Sequence, residues 1–349
     1  ESESTPVARQ SFSMQVAEGA LGATDDTVPP SLTKVSPNNW ANQTRPSVVI
    51  EAVEETSGID ETSTVFTLEG SASGSITGSG SWTGLAYTFT PNMDLREGEI
   101  YTARMRVADK AGNYSWQYQW TFRVDITGPV IDHTSWSIAE GAWIDGASPY
   151  VSVYVSDTGG SGVNVWTSQA TVTGDGSVRG KGFNPETGKY TIELANLGDG
   201  PHTVTLVYIE DFAGNPAEAR SVTFNVDTGR PTQPQVSVPY LTNEATPMFT
   251  WSGASDAAPS GGIASYFVDI WKTGEPGVYR GPYTVEHTSD PHSWRLPDAL
   301  ANDGTDDGTY LVGVWSRDVA GNFSTSYGLS PFMLDTTAPR EPTTVTGPG

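Results

Sequence analysis

The chain has 349 residues, 41 acidic against 18 basic side chains, a net charge of −23 and no cysteine. That charge repels phosphate, which argues against nucleic acid and anionic membrane surfaces as partners. The missing cysteine excludes disulfides and thiolate metal sites. No run reaches the roughly 20 apolar residues of a membrane helix, so no membrane insertion is expected of this segment.

Residues 1–24 fit no repeated pattern and carry no signal peptide. The alternation of Phe12, Met14 and Val16 reads either as a loose tail or as a donor-type strand that completes a neighbouring copy's sheet. Beyond them, β-branched and aromatic runs at 47–53, 100–107, 150–155, 203–209, 266–271 and 309–315 alternate with Gly, Pro, Asn and Asp clusters. These are strand and turn signals. No stretch holds a helical period.

Two motifs recur along the chain. Asp-x-Ala-Gly-Asn begins at Asp109, Asp211 and Asp318. Asp-x-x-x-Pro follows at Asp125, Asp227 and Asp335, after gaps of 16, 16 and 17 residues, and a further copy begins at Asp25. The linker aspartates therefore step by 100, 102 and 108 residues, the signature of an array. The expected organisation is an N-terminal tail or donor strand at 1–24, then units at 25–125, 126–227 and 228–335. Residues 336–349 are expected to lead to a following unit, in a chain that is a piece of something longer. About seven short strands per unit predict an all-β fold, a tandem array of three Ig-like β-sandwich domains.

Each unit repeats a skeleton. An acid precedes a Ser-Gly turn: Glu54, Glu55, Ser57 and Gly58; Asp157, Ser161 and Gly162; Asp256, Ser260 and Gly261. An acid-Gly pair opens a long strand at Glu97, Asp199 and Asp307. Tyr101 and Tyr310 stand where such sandwiches place a tyrosine corner, with His202 in the middle unit. Phe122, Phe224 and Phe332 close the strand before each linker aspartate.

Strand, Asp-x-Ala-Gly-Asn, strand and Asp-Thr-Thr-Ala-Pro together resemble the bacterial Ig-like repeats of large surface adhesins and S-layer-type proteins. The resemblance covers about residues 25–339. The third unit, with Trp251, Tyr266, Tyr310 and Trp315, looks closer to fibronectin type III. Similarity to this group implies architecture; one fold hosts many roles.

In a sandwich of this topology, the loop after the second strand, the loop before the last strand and the entering linker share one pole. Three carboxylates should therefore converge in each unit. These are Asp125, Asp157 and Asp211 in the second, and Asp227, Asp256 and Asp318 in the third. In the first they are Asp25 or Asp26, Glu54 or Glu55, and Asp109. Asp335 would await a further unit. Crowded carboxylates repel, and a hard cation such as Ca2+ resolves the repulsion. The resemblance implies calcium at the same positions. The competing reading is that Asp and Asn only build the turn. The first unit is the weakest candidate, because Glu replaces Asp and Lys110 enters the loop.

No enzyme signature is found. The four histidines form no His-Glu-x-x-His, and Asp290-Pro291-His292 reads as a turn. Thr158 to Gly162 does not match Gly-x-Ser-x-Gly. Residues 302–308 lack the closing Glu of an EF-hand and read as a wet, flexible turn. The eleven tryptophans read mostly as core or junction fillers, with Trp116 and Trp120 on one strand face. Asn42, Asn113 and Asn322 match the N-glycosylation pattern, although turn chemistry explains the last two better. The expected role is structural, extracellular and at the cell surface: a stalk, filament or S-layer unit partnered by further copies or Ig-like units. The alternatives are an adhesion module for a surface glycan or protein, and the accessory stalk of a secreted hydrolase.

Overall fold

A computed structural model describes residues 26–54 and 56–341. The tail 1–24, with its proposed donor strand, and Asp25, Glu55 and 342–349 lie outside the described residues. No helix forms among those described, and none is long and apolar enough to cross a membrane.

The first sandwich comprises β1 (Ser31–Ser36), β2 (Trp40–Ala41), β3 (Val48–Val53), β4 (Ile59–Gly70), β5 (Gly74–Ser75), β6 (Gly78–Thr83), β7 (Ala86–Pro91), β8 (Ile100–Asp109) and β9 (Tyr118–Val124). Its sheets run β1-β3-β7-β6 and β2-β9-β8-β4-β5. The second comprises β10 (Val130–Asp132), β11 (Trp143–Ile144), β12 (Tyr150–Ser156), β13 (Val163–Val172), β14 (Ser177–Asn184), β15 (Lys189–Ala195), β16 (Gly200–Asp211) and β17 (Arg220–Val226), ordered β10-β12-β15-β14 and β11-β17-β16-β13. The third comprises β18 (Gln235–Ser237), β19 (Leu241–Thr242), β20 (Met248–Ser252), β21 (Ile263–Lys272), β22 (Arg280–Glu286), β23 (His292–Arg295), β24 (Gly308–Asp318) and β25 (Gly328–Leu334), ordered β18-β20-β23 and β19-β25-β24-β21-β22.

Every strand run expected from the sequence lies within a strand here, apart from a residue at an edge. The alternation that predicted those runs is the alternation of burial. Along β8, Tyr101, Ala103, Met105 and Val107 point inward and are fully buried. In a half-buried strand successive side chains face opposite sides. In each sandwich the entering segment pairs antiparallel with one sheet, then crosses to pair parallel with the last strand of the other. The parallel pairs are Trp40 with Arg123, Trp143 with Asn225, and Leu241 with Met333. This crossing delivers each linker to the end of its sandwich, because the linker aspartate N–H donates to the crossing strand. Asp125 donates to Ala41, Asp227 to Ile144 and Asp335 to Thr242, at 2.9–3.0 Å.

The chain falls into two compact units. Among the described residues, one holds 26–54 and 56–129 with the loops 157–164 and 210–216; the other holds 130–156, 165–209 and 217–341. In the first, Phe122 and Tyr101 stack at 5.7 Å within the core. In the second, Trp251, Tyr266, Phe249 and Phe332 form the core of the third sandwich.

The three corner positions behave alike. The Tyr101 hydroxyl accepts the Arg96 N–H at 2.6 Å, and the Tyr310 hydroxyl donates to the Asp306 carbonyl at 2.5 Å. His202 Nε2 lies 2.8 Å from the Gly198 carbonyl. In each case a buried ring reaches four or five residues back to pin the turn that opens its strand.

Candidate metal centres

The Asp-x-Ala-Gly-Asn loops are built the same way three times. The Asp carboxylate takes the Asn N–H on Oδ1, at 2.8 Å for Asp109, 2.8 Å for Asp211 and 2.7 Å for Asp318. It takes the Asn side-chain amide on Oδ2, at 2.8, 2.7 and 2.9 Å. The glycine adopts a left-handed φ of 94°, 93° and 111° in turn, a conformation that favours residues without a Cβ. The x residue donates its N–H to the glycine of the Ser-Gly turn: Lys110 to Gly58, Phe212 to Gly162 and Val319 to Gly262. Turn building is therefore part of what these aspartates do.

The same asparagine also reaches the linker. Asn113, Asn215 and Asn322 donate from Nδ2 to the carbonyl oxygens of Asp26, Asp125 and Asp227, each at 2.8 Å. This use of Asn113 and Asn322 fits turn chemistry rather than a glycan acceptor. The result is convergence. Asp26, Glu54 and Asp109 form one carboxylate group, Asp125, Asp157 and Asp211 a second, and Asp227, Asp256 and Asp318 a third. Each group places its nearest ligand atoms within 4.8 Å of one another. In the first group Asp26 and Glu54 come together with Asp109; the expected Asp25 and Glu55 are outside the described residues. Asp335 is exposed and accepts the Thr337 N–H at 3.2 Å.

The three groups differ in how well they are already satisfied. Asp26 accepts the Thr56 hydroxyl at 2.5 Å and the N–H groups of Val28 and Ser57. These bonds, the Thr56 hydroxyl foremost, hold its pKa down at about 2. The Lys110 ammonium lies over the same turn, 3.6 Å from where a Cβ on Gly58 would stand. In the second group, Asp125 takes the Ser161 N–H and Asp157 the Gly162 N–H, both at 2.6 Å. Burial, with the charges of Asp125 and Asp211, still pushes Asp157 up.

The third group is the least compensated. Asp227 is 1% exposed, and its Oδ2 and both oxygens of Asp256 are buried without a hydrogen-bond partner. Burial and the charges of Asp256 and Asp318 push Asp227 up to about 6. Burial and Asp318 raise Asp256 as well. The loop donors are used differently: in the second unit the Ser161 and Gly162 N–H groups go to Asp125 and Asp157, whereas in the third the Gly262 N–H goes to the Ser260 hydroxyl at 3.4 Å.

A second set of linker contacts was not expected. Glu97 accepts the Thr127 hydroxyl at 2.7 Å, Asp199 the Thr228 hydroxyl at 2.9 Å and Asp307 the Thr336 hydroxyl at 2.7 Å. Each linker is thus held from behind by the acid-Gly turn, and those after Asp125 and Asp227 also from ahead by the asparagine. The sequence signal was available: these acid–Thr pairs are spaced 30, 29 and 29 residues apart. Replacing Asn215, which is 9% exposed, by Ala strips the Asp125 carbonyl of this donor. Leaving a buried acceptor unpaired costs about 1–3 kcal/mol. Amide hydrogen exchange should show faster exchange confined to 125–129 and 210–216, with the sandwich cores unchanged.

Two expectations are corrected. Residues 302–308 are not a loose turn. Asp306 accepts the Tyr279 hydroxyl at 2.5 Å and the Ala301 N–H at 2.7 Å, and it faces Lys272 at 3.5 Å. Trp116 does not share a strand face with Trp120: it lies outside β9 and is 91% exposed, whereas Trp120 is buried. Residues 289–291 form a bend, and the fold brings His287 beside Asp290 and His292.

Residues 26–124 match the family model of the bacterial Ig-like domain. Among solved structures, a three-domain segment of titin is similar at 13% identity and a TM-score of 0.41, covering 87% of this chain and 98% of that one. The chicken CNTN1 FN1–FN3 domains are similar at 11% identity and 0.40, covering 88% and 98%. The Clostridium thermocellum CbhA fibronectin(III)-like modules are similar at 18% identity and 0.36, covering 59% and 92%. No curated protein sequence matches the chain. The fold class is all-β, tandem Ig-like sandwiches, and rests on the sheets themselves.

Proposed function

We propose that the chain is a structural segment of an extracellular surface protein, a stalk or filament unit whose joints are stiffened by Ca2+ held at the aspartate groups. The observation that carries this reading is the third group. Three carboxylates meet there and three of their oxygens are buried with no partner. A buried, uncompensated carboxylate is costly. The donor set is all oxygen, which suits a hard cation that takes 6–8 oxygen ligands. Asp227, Asp256 and Asp318 would hold the ion in the third group, and Asp125, Asp157 and Asp211 in the second. Asp26, Glu54 and Asp109 would bind most weakly, because donors and Lys110 already offset their charge. When bound, calcium supplies positive charge that neutralises the group. The protein's part is to tie a linker carboxylate to two loops of the sandwich that follows.

The repetition, and the match of residues 26–124 to a bacterial Ig-like domain, support the role of spacer or assembly unit. Its partners would be further Ig-like units or copies of the same protein. A binding role for a surface glycan has its own observation: Trp116 and Trp166 are 91% and 88% exposed, and exposed indoles stack on sugars.

Thermal melting and small-angle scattering, in calcium and then in EDTA, test the reading. At free calcium 100-fold above Kd, each occupied site adds about 2.7 kcal/mol. The expected result is a higher melting temperature with calcium and a scattering profile that broadens toward flexibility on chelation. Identical melts and profiles in both buffers would reduce the aspartates to turn builders.

A further inference from the structure

The loop between β22 and β23 passes from the five-stranded to the three-stranded sheet of the third sandwich, and it gathers the chain's only close pair of histidines among the described residues. His287 leaves β22 with its N–H donated to Ala264 at 2.8 Å. His292 begins β23 and is 5% exposed. Its ring stacks on Trp251 at 5.7 Å with 11° between planes, and meets Tyr266 edge-on at 4.8 Å. This packing fixes the imidazole, and its Nε2 shares a hydrogen bond with His287 Nδ1 at 3.0 Å. Asp290 is anchored by the Gly253 N–H on Oδ2 at 3.1 Å, and its Oδ1 lies 3.9 Å from His292 Nε2.

We propose that His287, Asp290 and His292 form a binding site for a borderline divalent transition-metal ion of the copper or zinc class, separate from the all-oxygen aspartate groups. Two ligands each about 2.0–2.1 Å from a shared ion stand roughly 3.3 Å apart in tetrahedral geometry. The two ring nitrogens already have nearly that separation, and a carboxylate oxygen stands beside them. Two imidazoles and one carboxylate select copper, zinc or nickel over calcium, which prefers oxygen alone. His287 and Asp290 are exposed, so the ion has an open approach and water can complete its shell. The Tyr266 hydroxyl, 3.4 Å from His287 Nδ1, closes the inner side.

The other histidines do not compete as a pair. His133 is exposed and stands apart in sequence. His202 is buried, with both ring nitrogens against backbone carbonyls of Thr173 and Gly198.

The test is Cu2+ titration of the full chain in saturating calcium, which occupies the carboxylate groups, followed by calorimetry and electron paramagnetic resonance. One tight equivalent with hyperfine coupling to two nitrogens is expected. His287→Ala removes an exposed ligand whose contact with the core is the Tyr266 ring and hydroxyl, and should weaken binding by at least about 10–100-fold and leave at most one coupled nitrogen. Asp290→Asn should weaken binding with both nitrogens retained. A two-nitrogen signal that persists in His287→Ala, an affinity unchanged in either variant, or no stoichiometric uptake by the parent chain would each overturn the site.

Discussion

At pH 7 in EDTA, Asp227→Asn is expected to stabilise the third sandwich, by on the order of 2–3 kcal/mol; in saturating calcium the same substitution should destabilise it. The reversal follows from the charge balance of one site. Without an ion, Asp227 sits buried beside Asp256 and Asp318, and its pKa rises from 3.8 to about 6. The folded state therefore holds this proton more tightly than the unfolded chain does. The contribution of the group is most favourable below about pH 4 and is lost as pH rises through about 4–6. A shift of about two units corresponds to about 2–3 kcal/mol. Asn carries no charge in this range, so the variant lacks the loss. With calcium present the ionised carboxylate is a ligand, and the variant gives up part of the binding free energy.

Urea unfolding at pH 4.5, 5.5 and 7, with EDTA and with calcium, reads both effects through tryptophan fluorescence. Asp256 moves in the same direction as Asp227. Asp303, Asp306 and Asp307 are lowered by hydrogen bonds, so their stabilising contribution is lost only as pH falls below about 4. The windows are therefore distinct. Stability in EDTA that stays flat or rises between pH 4.5 and 7 would mean that Asp227 is not held among repelling charges.

Phe332→Ala should cost the third sandwich about 3–5 kcal/mol, the usual loss for a buried Phe truncated to Ala. The ring is fully buried. It stacks on Tyr310 at 5.0 Å and meets Phe249 edge-on at 5.5 Å. Truncation leaves a cavity between two rings, of which Tyr310 is itself pinned by the Asp306 carbonyl. The walls cannot collapse far, which places the cost toward the upper end. Differential scanning calorimetry should show one transition moved down, with the first sandwich unaffected. A single shifted transition for the whole chain would reveal cooperativity that the separate cores do not require.

Much of this was legible in the amino-acid order. Phe122, Phe224 and Phe332 recur at one place in each repeat, and each proves to be a buried ring one strand-end before the linker. Tyr101, His202 and Tyr310 share a spacing, and all three reach back to pin a turn. The convergence of linker, Ser-Gly and Asp-x-Ala-Gly-Asn carboxylates followed from sandwich topology. Other features were not legible. That Glu54 joins Asp26 and Asp109 depends on how the chain leaves β3 after Val53. The wrong strand face assigned to Trp116 arose because β9 begins only at Tyr118. The order at 302–308 depends on Tyr279 and Lys272, some thirty residues away.

The repeat, the strand pattern and the residues that end each strand are written in the order of the residues alone. Period-two burial and turn chemistry are local, so neighbouring residues suffice to specify them. The carboxylates left without donors, the side chains that clamp the linkers, and the meeting of His287 with His292 emerge only on folding. The first two outcomes depend on contacts between segments far apart in the chain, Asp227 with Asp318 and Glu97 with Thr127; the histidine pair is close in sequence but is held by Trp251 and Tyr266 from other strands. Their electrostatic consequence is set by burial, a property of the folded surroundings and of no single stretch of sequence.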